Sequence, residues 1–238
     1  MIALTPVAEA EDAARTCAER VATAIADARA RHGAAHIALA GGHTPARAYE
    51  LLAPLVDDWR DVHLWFGDER CVPLDDPESN HALVVRTLLA RLPAGRPRPI
   101  VHAVEGAGDG DPAAAAAAYE RALRAQLPTG AAEIPQLDLA LLGLGEDGHT
   151  ASLFPDDPVL EEREQLCVAV HGSKPPFERV TLTLPVLLAA RAIAVLTAGA
   201  GKAWAVGAML AGPSPRVPAS LLAEGAVELI VDRAAAPA

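Results

Sequence analysis

The chain has 238 residues, of which 51% are hydrophobic and 21% are charged. This length suits one large α/β domain, and a chain this apolar can bury a sizeable core. Its 20 basic and 31 acidic side chains give a net charge of −11 at pH 7. Nucleic acid is therefore not an expected partner, because neutralising its phosphates needs a basic face and no run of Lys and Arg occurs.

Cysteine usage and the N-terminal sequence indicate the cellular setting. Cys17, Cys71 and Cys167 stand far apart and form no CxxC pair, so neither a disulfide framework nor a zinc knuckle is expected. The first residues carry acids where a signal peptide would carry bases. No apolar stretch approaches the about 18 residues of a membrane span. We therefore expect a soluble, cytoplasmic protein that does not bind membranes.

The predicted elements alternate between helices and short apolar strands. A long helix begins at Thr5-Pro6 and ends at Gly33. Thr44-Pro45 and Asp111-Pro112 each read as an N-cap followed by a proline in the first turn, and a further helix is predicted at 80–89. The predicted strands are 36–40, 62–66, 137–142, 179–183, 192–196 and 227–231.

Strands separated by helices predict an α/β fold with a mostly parallel sheet and helices on both faces. No internal repeat interrupts the series, and we expect a single domain over 1–238. Ligands of such sheets bind at the carboxyl ends of strands, in the loops that lead to helices. The loops after Ala40, Phe66, Leu142 and Leu196 are therefore the candidates for a site.

The first candidate loop reads GGHTP at 41–45. Two glycines let the backbone approach a ligand closely. The N-terminus of the following helix offers N–H groups and a partial positive charge, which suit a phosphate. An ordinary strand-to-helix turn would have the same sequence, so this loop alone leaves both interpretations open.

The second loop, GDER at 67–70, places three charged residues directly after an apolar strand. Arg70 can clamp a phosphate through two parallel hydrogen bonds. A solvated polar loop is the simpler explanation for the same residues.

The third loop reads GLGEDGHTASLFP at 143–155 and matches the GxGxxG pattern. A dinucleotide site is rejected, because Glu146 and Asp147 would repel a pyrophosphate and Pro155 follows too soon for the long helix of that fingerprint. The loop instead presents His149 two residues after an aspartate. Such a carboxylate can orient the imidazole and leave its other nitrogen to act as a base. An isolated surface histidine is more often structural, but the carboxyl edge of a sheet favours catalysis.

The fourth loop, GAGK at 199–202, also follows a strand. It differs from a Walker A motif, because Leu196 replaces the first glycine and Ala203 replaces the hydroxyl residue that would hold magnesium. A single lysine at a helix start still suits a monophosphate, although a surface lysine is the plainer interpretation.

Together, these loops resemble the 6-phosphogluconolactonase family. The resemblance is carried by AGGHTP at 40–45, WFGDER at 65–70, LGLGEDGHTASLFP at 142–155 and RVTLTLP at 179–185, the third being the most specific. It implies a Rossmann-like fold shared with glucosamine-6-phosphate deaminases and ribose-5-phosphate isomerases. It also implies hydrolysis of 6-phosphogluconolactone in the oxidative pentose phosphate pathway, without a metal or cofactor.

The resemblance further implies roles for individual residues. His149 would be the general base, with Asp147 beside it. The implied substrate and phosphate contacts are Gly41, Gly42, Thr44, Asp68, Arg70, Gly145, Gly148, Arg179 and Lys202. The implied partner is a small sugar-phosphate lactone, and we expect a monomer or a weak homo-oligomer.

Two other functions are weighed against this one. The comparable loop of glucosamine-6-phosphate deaminases usually carries Glu five residues after the histidine, where this chain has Phe154, which cannot share a proton. A non-catalytic sugar-phosphate sensor would usually carry a helix-turn-helix segment, and no spare segment is present. The Asp147/His149 pair also favours an enzyme over a sensor.

Overall fold

The computed structural model describes residues 2–108, 110–130 and 133–237. The helices of this part are α1 (Ala10–His32), α2 (His43–Leu52), α3 (Asn80–Thr87), α4 (Pro112–Gln126), α5 (Leu184–Ala189) and α6 (Ala203–Leu210). The strands are β1 (Ile2–Val7), β2 (Ala35–Leu39), β3 (Val62–Phe66), β4 (Asp68–Arg70), β5 (Ile100–Val101), β6 (Leu139–Gly143), β7 (Cys167–His171), β8 (Glu178–Leu182), β9 (Ile193–Thr197) and β10 (Val227–Asp232). None of the described helices is both long and apolar enough to cross a membrane.

Seven strands form a parallel sheet in the order β1-β10-β9-β6-β2-β3-β5. One buried cluster packs α1, α2 and α3 against one face, and a second packs α4, α5 and α6 against the other. Every residue of β2 and β9 is buried, because both faces of these central strands are covered. The predicted α/β architecture, with helices on both faces of a mostly parallel sheet, is confirmed.

A second, antiparallel sheet has the order β4-β8-β7. The predicted strand at 179–183 corresponds to β8, which lies in this small sheet and not in the parallel one. β4 occupies the segment that the sequence indicated as a polar loop. Its three charged residues adopt an extended conformation because they pair with β8, a contact that no local pattern encodes.

The N-terminal segment differs from the prediction. Ile2–Val7 is an edge strand parallel to β10, and α1 begins only at Ala10. Pro6 is compatible with a strand here because an edge position has one side without a hydrogen-bonded neighbour. The predicted helix end at Gly33 is confirmed, and its φ of +88° is a conformation that glycine adopts without strain.

The two predicted N-caps have different outcomes. Asp111 caps α4 as expected, since its side chain accepts a hydrogen bond of 3.0 Å from the backbone N–H of Ala113. Thr44 does not cap α2, because the helix already begins at His43 and Gly42 occupies the cap position. Pro45 still lies in the first turn, where its missing N–H costs no hydrogen bond.

Candidate active site

A cavity of about 880 Å³ opens at the carboxyl ends of β2, β3, β6 and β9. The four predicted loops converge there, as expected for the carboxyl edge of a parallel sheet. The predicted site residues that line it are Gly41, Gly42, Thr44, Asp68, Arg70, Gly145, Asp147, His149, Arg179 and Lys202. Folding thus brings into one cavity residues that lie up to 161 positions apart in the chain (202 − 41).

Gly148 is the predicted site residue that does not line this cavity. Its φ is +86°, and its N–H donates to the carbonyl of Gly145 at 3.1 Å. A Cβ at this position would lie 2.8 Å from Cγ1 of Val217. Gly148 therefore shapes the turn that carries the histidine, rather than facing a ligand.

The histidine loop is closed on itself by hydrogen bonds. Nδ1 of His149 lies 2.5 Å from Oδ1 of Asp147, and the backbone N–H of His149 donates to the same oxygen at 3.2 Å. The N–H of Gly145 donates to the carbonyl of His149 at 2.8 Å. The contact between Asp147 and His149 that the sequence left undecided is therefore present.

The electrostatics of this pair decide which imidazole nitrogen can act as a base. The hydrogen bond from the His149 ring lowers the pKa of Asp147 to about 2, although partial burial opposes the shift. An ionised carboxylate only accepts hydrogen bonds, so Nδ1 of His149 carries the proton. The other ring nitrogen, Nε2, is then left to accept a proton in the cavity.

Gly145 makes room for this pair. A Cβ added to Gly145 would overlap Nδ1 of His149 and would lie 2.5 Å from Oδ1 of Asp147. Any side chain here would therefore displace the imidazole or the carboxylate that orients it.

Phe154 forms an apolar wall beside the imidazole. It is buried, and its ring centroid lies 5.2 Å from that of His149 at an interplanar angle of 49°. The guanidinium of Arg179 lies 6.0 Å from the same ring centroid. The residue five positions after the histidine therefore packs against both the imidazole and a cation, and it has no proton to exchange.

Two arginines stand side by side on the small sheet. The register of β4 and β8 pairs Arg70 with Arg179, and the strand alternation places Asp68 on the same face. Burial lowers the pKa of Arg179, the carboxylate of Asp68 opposes this shift, and the charge of Arg70 adds to it. Within residues 2–108, 110–130 and 133–237, no ion pair includes Arg70, Arg179 or Lys202. Cations that face one cavity without forming an ion pair favour an anionic ligand.

A buried glutamate whose role was not predicted from the sequence holds β4 in place. Glu69 is fully buried and points away from the cavity, toward the N-terminus of α3. Its carboxylate accepts backbone N–H groups of Arg70, Asn80 and His81 at 2.7–2.8 Å and the hydroxyl of Ser79 at 3.0 Å. Burial raises the pKa of Glu69, whereas these hydrogen bonds act to lower it. The side chain thus ties β4 to a helix N-terminus.

Asp68 is fixed by two residues whose roles were not predicted. Ser152 donates a hydrogen bond of 2.6 Å to Oδ2 of Asp68, and the amide of Asn80 donates to the Asp68 carbonyl at 2.7 Å. Asn80 also presses on the first glycine loop, since a Cβ at Gly41 would overlap its Oδ1. A glycine at position 41 therefore allows the 41–45 loop to approach Asn80 this closely. No short-range signal marks Asn80 or Ser152, because both act across the fold.

The fourth loop is held from the last strand of the sheet. The N–H of Gly199, at a φ of +94°, donates to both carboxylate oxygens of Asp232 at 3.0 and 3.1 Å. Lys202 ends a 3-10 turn and is the N-cap residue of α6, so it lies at a helix start as expected. Asp232 could have been found from sequence, because it is a carboxylate at the carboxyl end of a predicted strand.

A fifth loop reaches the cavity without having been predicted. Residues 172–177 join β7 to β8, and Ser173, Lys174 and Pro175 line the cavity. Because the sequence pattern does not mark β7 as a strand, it does not predict that this segment reaches the site.

Catalysis at this site is not expected to depend on a metal ion. In the part of the chain that the structure describes, no three His, Cys, Asp or Glu side chains gather to form a metal site. Two ligands such as Asp147 and His149 are too few for tight binding. We therefore expect full activity after exhaustive chelation, measured against an untreated sample. A large loss that one divalent ion restores would contradict this expectation.

Comparisons with known proteins agree with this fold. Residues 8–231 match the family described as glucosamine-6-phosphate isomerases/6-phosphogluconolactonase. A 6-phosphogluconolactonase of Streptomyces coelicolor is 44% identical over 209 residues, which are 84% of this chain and 79% of that protein. The structure of 6-phosphogluconolactonase from Trypanosoma brucei matches with a TM-score of 0.85 at 28% identity, covering 99% of this chain and 97% of that one.

A more distant structure shows how widely the fold is used. A monomeric glucosamine-6-phosphate deaminase matches with a TM-score of 0.79, covering 98% of each chain. Its identity to this chain is 22%, so this match shows a shared fold alone. With most of its length matched by the family and a 44% identical relative, the chain belongs to the glucosamine-6-phosphate isomerase/6-phosphogluconolactonase family.

Proposed function

We propose that this protein hydrolyses 6-phospho-D-glucono-1,5-lactone to 6-phospho-D-gluconate. The observation that carries the proposal is one cavity in which an oriented imidazole, His149, shares the space with the arginine pair Arg70 and Arg179. An imidazole suits activation of water, and the cations suit a phosphate. The lactonase names of the related proteins support the same activity.

The proposed mechanism starts with Nε2 of His149. This nitrogen takes a proton from water as the water oxygen attacks the lactone carbonyl. The resulting tetrahedral oxyanion needs hydrogen-bond donors, which backbone N–H groups of the glycine loops can supply. When the intermediate collapses, the bond to the ring oxygen breaks and protonated His149 returns its proton to that oxygen.

Phosphate binding would contribute by positioning. Contacts of Arg70, Arg179 and Lys202 with the phosphate hold the far end of the substrate, so that the carbonyl stays close to His149. Fixing two reacting groups in this way removes part of the entropic barrier of the reaction. Gly41, Gly42 and Thr44 offer the N-terminal region of α2 to the same anion, and Asp68 is available to the sugar hydroxyls.

Phe154 favours a lactonase over a deaminase. Ring opening of an amino sugar needs a protonatable group near the histidine, and the buried phenyl ring supplies none. The direct test is proton release from freshly generated 6-phosphogluconolactone, with the spontaneous rate subtracted. Catalysed acid production would support the proposal, whereas ammonia release from glucosamine 6-phosphate would contradict it. Binding of the sugar phosphate without turnover would indicate a sensor.

The setting of the activity is part of the proposal. We expect the protein to act in the cytoplasm, in the oxidative pentose phosphate pathway, as one domain over 1–238 and as a monomer or weak homo-oligomer. The family match over 8–231 supports the single domain.

The phosphate contacts give a second prediction. Replacing Arg70 or Lys202 with alanine should lower kcat/KM for the phosphorylated lactone about tenfold to hundredfold, since charge-assisted hydrogen bonds contribute on the order of 1.5–3 kcal/mol. Unphosphorylated gluconolactone is the internal control, because it makes no such contact. If both variants keep the wild-type preference for the phosphorylated lactone, the phosphate does not bind at these residues.

A further inference from the structure

The 172–177 loop is built as a short cap on the hairpin of β7 and β8. The N–H of Gly172 donates to the carbonyl of Phe177 at 2.6 Å, which closes the base of the loop. Ser173, Lys174 and Pro175 are exposed to solvent and also line the cavity. The loop therefore forms part of the cavity's outer wall.

Arg179 connects this loop to the arginine pair. Its Nε donates to the carbonyl of Pro176 at 3.1 Å, and its Nη2 donates to the carbonyl of Lys174 at 3.3 Å. These bonds occupy part of the guanidinium and leave the remaining donors for a ligand. The same side chain thus holds the backbone at Lys174 and faces the cavity.

Lys174 adds a second lysine to the lining of the cavity. The chain contains two lysines, Lys174 and Lys202, and both line this cavity. Among the described residues, no ion pair includes Lys174. A nearby carboxylate on the hairpin, that of Glu178, is bonded at 2.7 Å to the ring of His171. The ammonium group of Lys174 thus remains available to an anion.

We propose that Lys174 is a specificity-determining residue. It contacts the substrate phosphate in the same cavity as Arg70 and Arg179. A lysine on an exposed loop is a mobile point charge with several donors, so it can follow the phosphate where the half-buried arginines cannot. The inference rests on the proposed function and adds a cation that the family motifs did not indicate. It also gives the 172–177 loop a role in distinguishing phosphorylated from unphosphorylated lactones.

The test compares Lys174→Met, Lys174→Arg and a control, Arg121→Gln. Arg121 is an exposed cation on α4 outside the cavity, so its variant reports the loss of one positive charge alone. Lys174→Met should lower kcat/KM for 6-phosphogluconolactone roughly tenfold, the lower end expected for a charge-assisted contact at an exposed site. The loss should fall mainly on KM, and gluconolactone turnover should not change. Lys174→Arg should keep most of the preference, and Arg121→Gln all of it.

A binding measurement separates this inference from the proposed function. Calorimetric titration with inorganic phosphate should show weaker binding to Lys174→Met by a similar factor, whether or not the protein hydrolyses the lactone. If wild type fails to hydrolyse the lactone, the proposed function is wrong and the phosphate titration alone decides on Lys174. If Lys174→Met binds phosphate as tightly as wild type, or if Arg121→Gln shows the same loss, the inference about Lys174 is wrong.

Discussion

Replacing His149 with alanine should lower the rate of lactone hydrolysis by roughly 10²–10⁴, the usual contribution of a general base. The imidazole lies in the cavity with Nδ1 bound to Asp147, so the variant loses an oriented proton acceptor. Affinity for the product 6-phosphogluconate should change much less, because the arginines proposed to bind its phosphate, Arg70 and Arg179, lie on the small sheet and not on the histidine loop. The measurement is proton release, with the spontaneous rate subtracted so that it does not mask a dead enzyme.

The control for this variant is His32→Ala, which removes an exposed histidine at the end of α1 that does not line the cavity. It should retain near-normal activity. A folded His149→Ala variant with near-normal turnover would show that another residue carries out the chemistry.

Activity of the wild type should also fall as the pH is lowered. A protonated imidazole cannot take a proton from water, so acid removes the base. Asp147 has its pKa lowered to about 2 by the hydrogen bond from His149, so it stays ionised well below neutral pH. A loss of activity at pH values where Asp147 is still ionised would therefore not come from Asp147. A rate that does not fall until Asp147 itself is protonated would contradict a histidine base.

The fold could be predicted where the sequence signal is local. β2 and β3 are buried apolar runs, and Gly33 ends α1 through its own backbone conformation. β4 could not be predicted, because Asp68-Glu69-Arg70 becomes a strand only by pairing with β8, more than a hundred residues later (179 − 70). The edge strand β1 was obscured by Pro6, which reads as a helix start when no neighbouring strand is known.

The same distinction between local signals and long-range contacts holds for the site residues. The glycine loops and the pair Asp147 and His149 are contiguous in sequence, so their chemistry is visible there. Ser152 and Asp68 are 84 residues apart, and only folding brings them to 2.6 Å. Lys174 was missed because its loop follows a strand of the small sheet that had no apolar periodicity strong enough to recognise. Residues that support the site through space are therefore the ones that sequence alone leaves out.

Replacing Gly145 with alanine should cost about 10²-fold in rate, since a displacement of about 1 Å at a catalytic group has an effect of this order. The new methyl group would overlap Nδ1 of His149 and crowd Oδ1 of Asp147, so the hydrogen bond that fixes the imidazole cannot persist unchanged. The turn cannot easily move to relieve the overlap, because the Gly145 N–H is bonded to the carbonyl of His149. Proton release, together with the thermal unfolding midpoint, separates lost catalysis from lost folding.

Two comparisons show whether this loss passes through His149. Gly207→Ala lies in α6, outside the cavity and with open space around a new Cβ, and should leave the rate unchanged. The double variant Gly145→Ala/His149→Ala should be little slower than His149→Ala alone, because substitutions that act on the same catalytic group are not additive. If the two losses multiply instead, Gly145 contributes independently, for example through its N–H, and the steric explanation is wrong. Non-additive losses would establish Gly145 as a positioning residue whose missing side chain allows Asp147 to hold the imidazole.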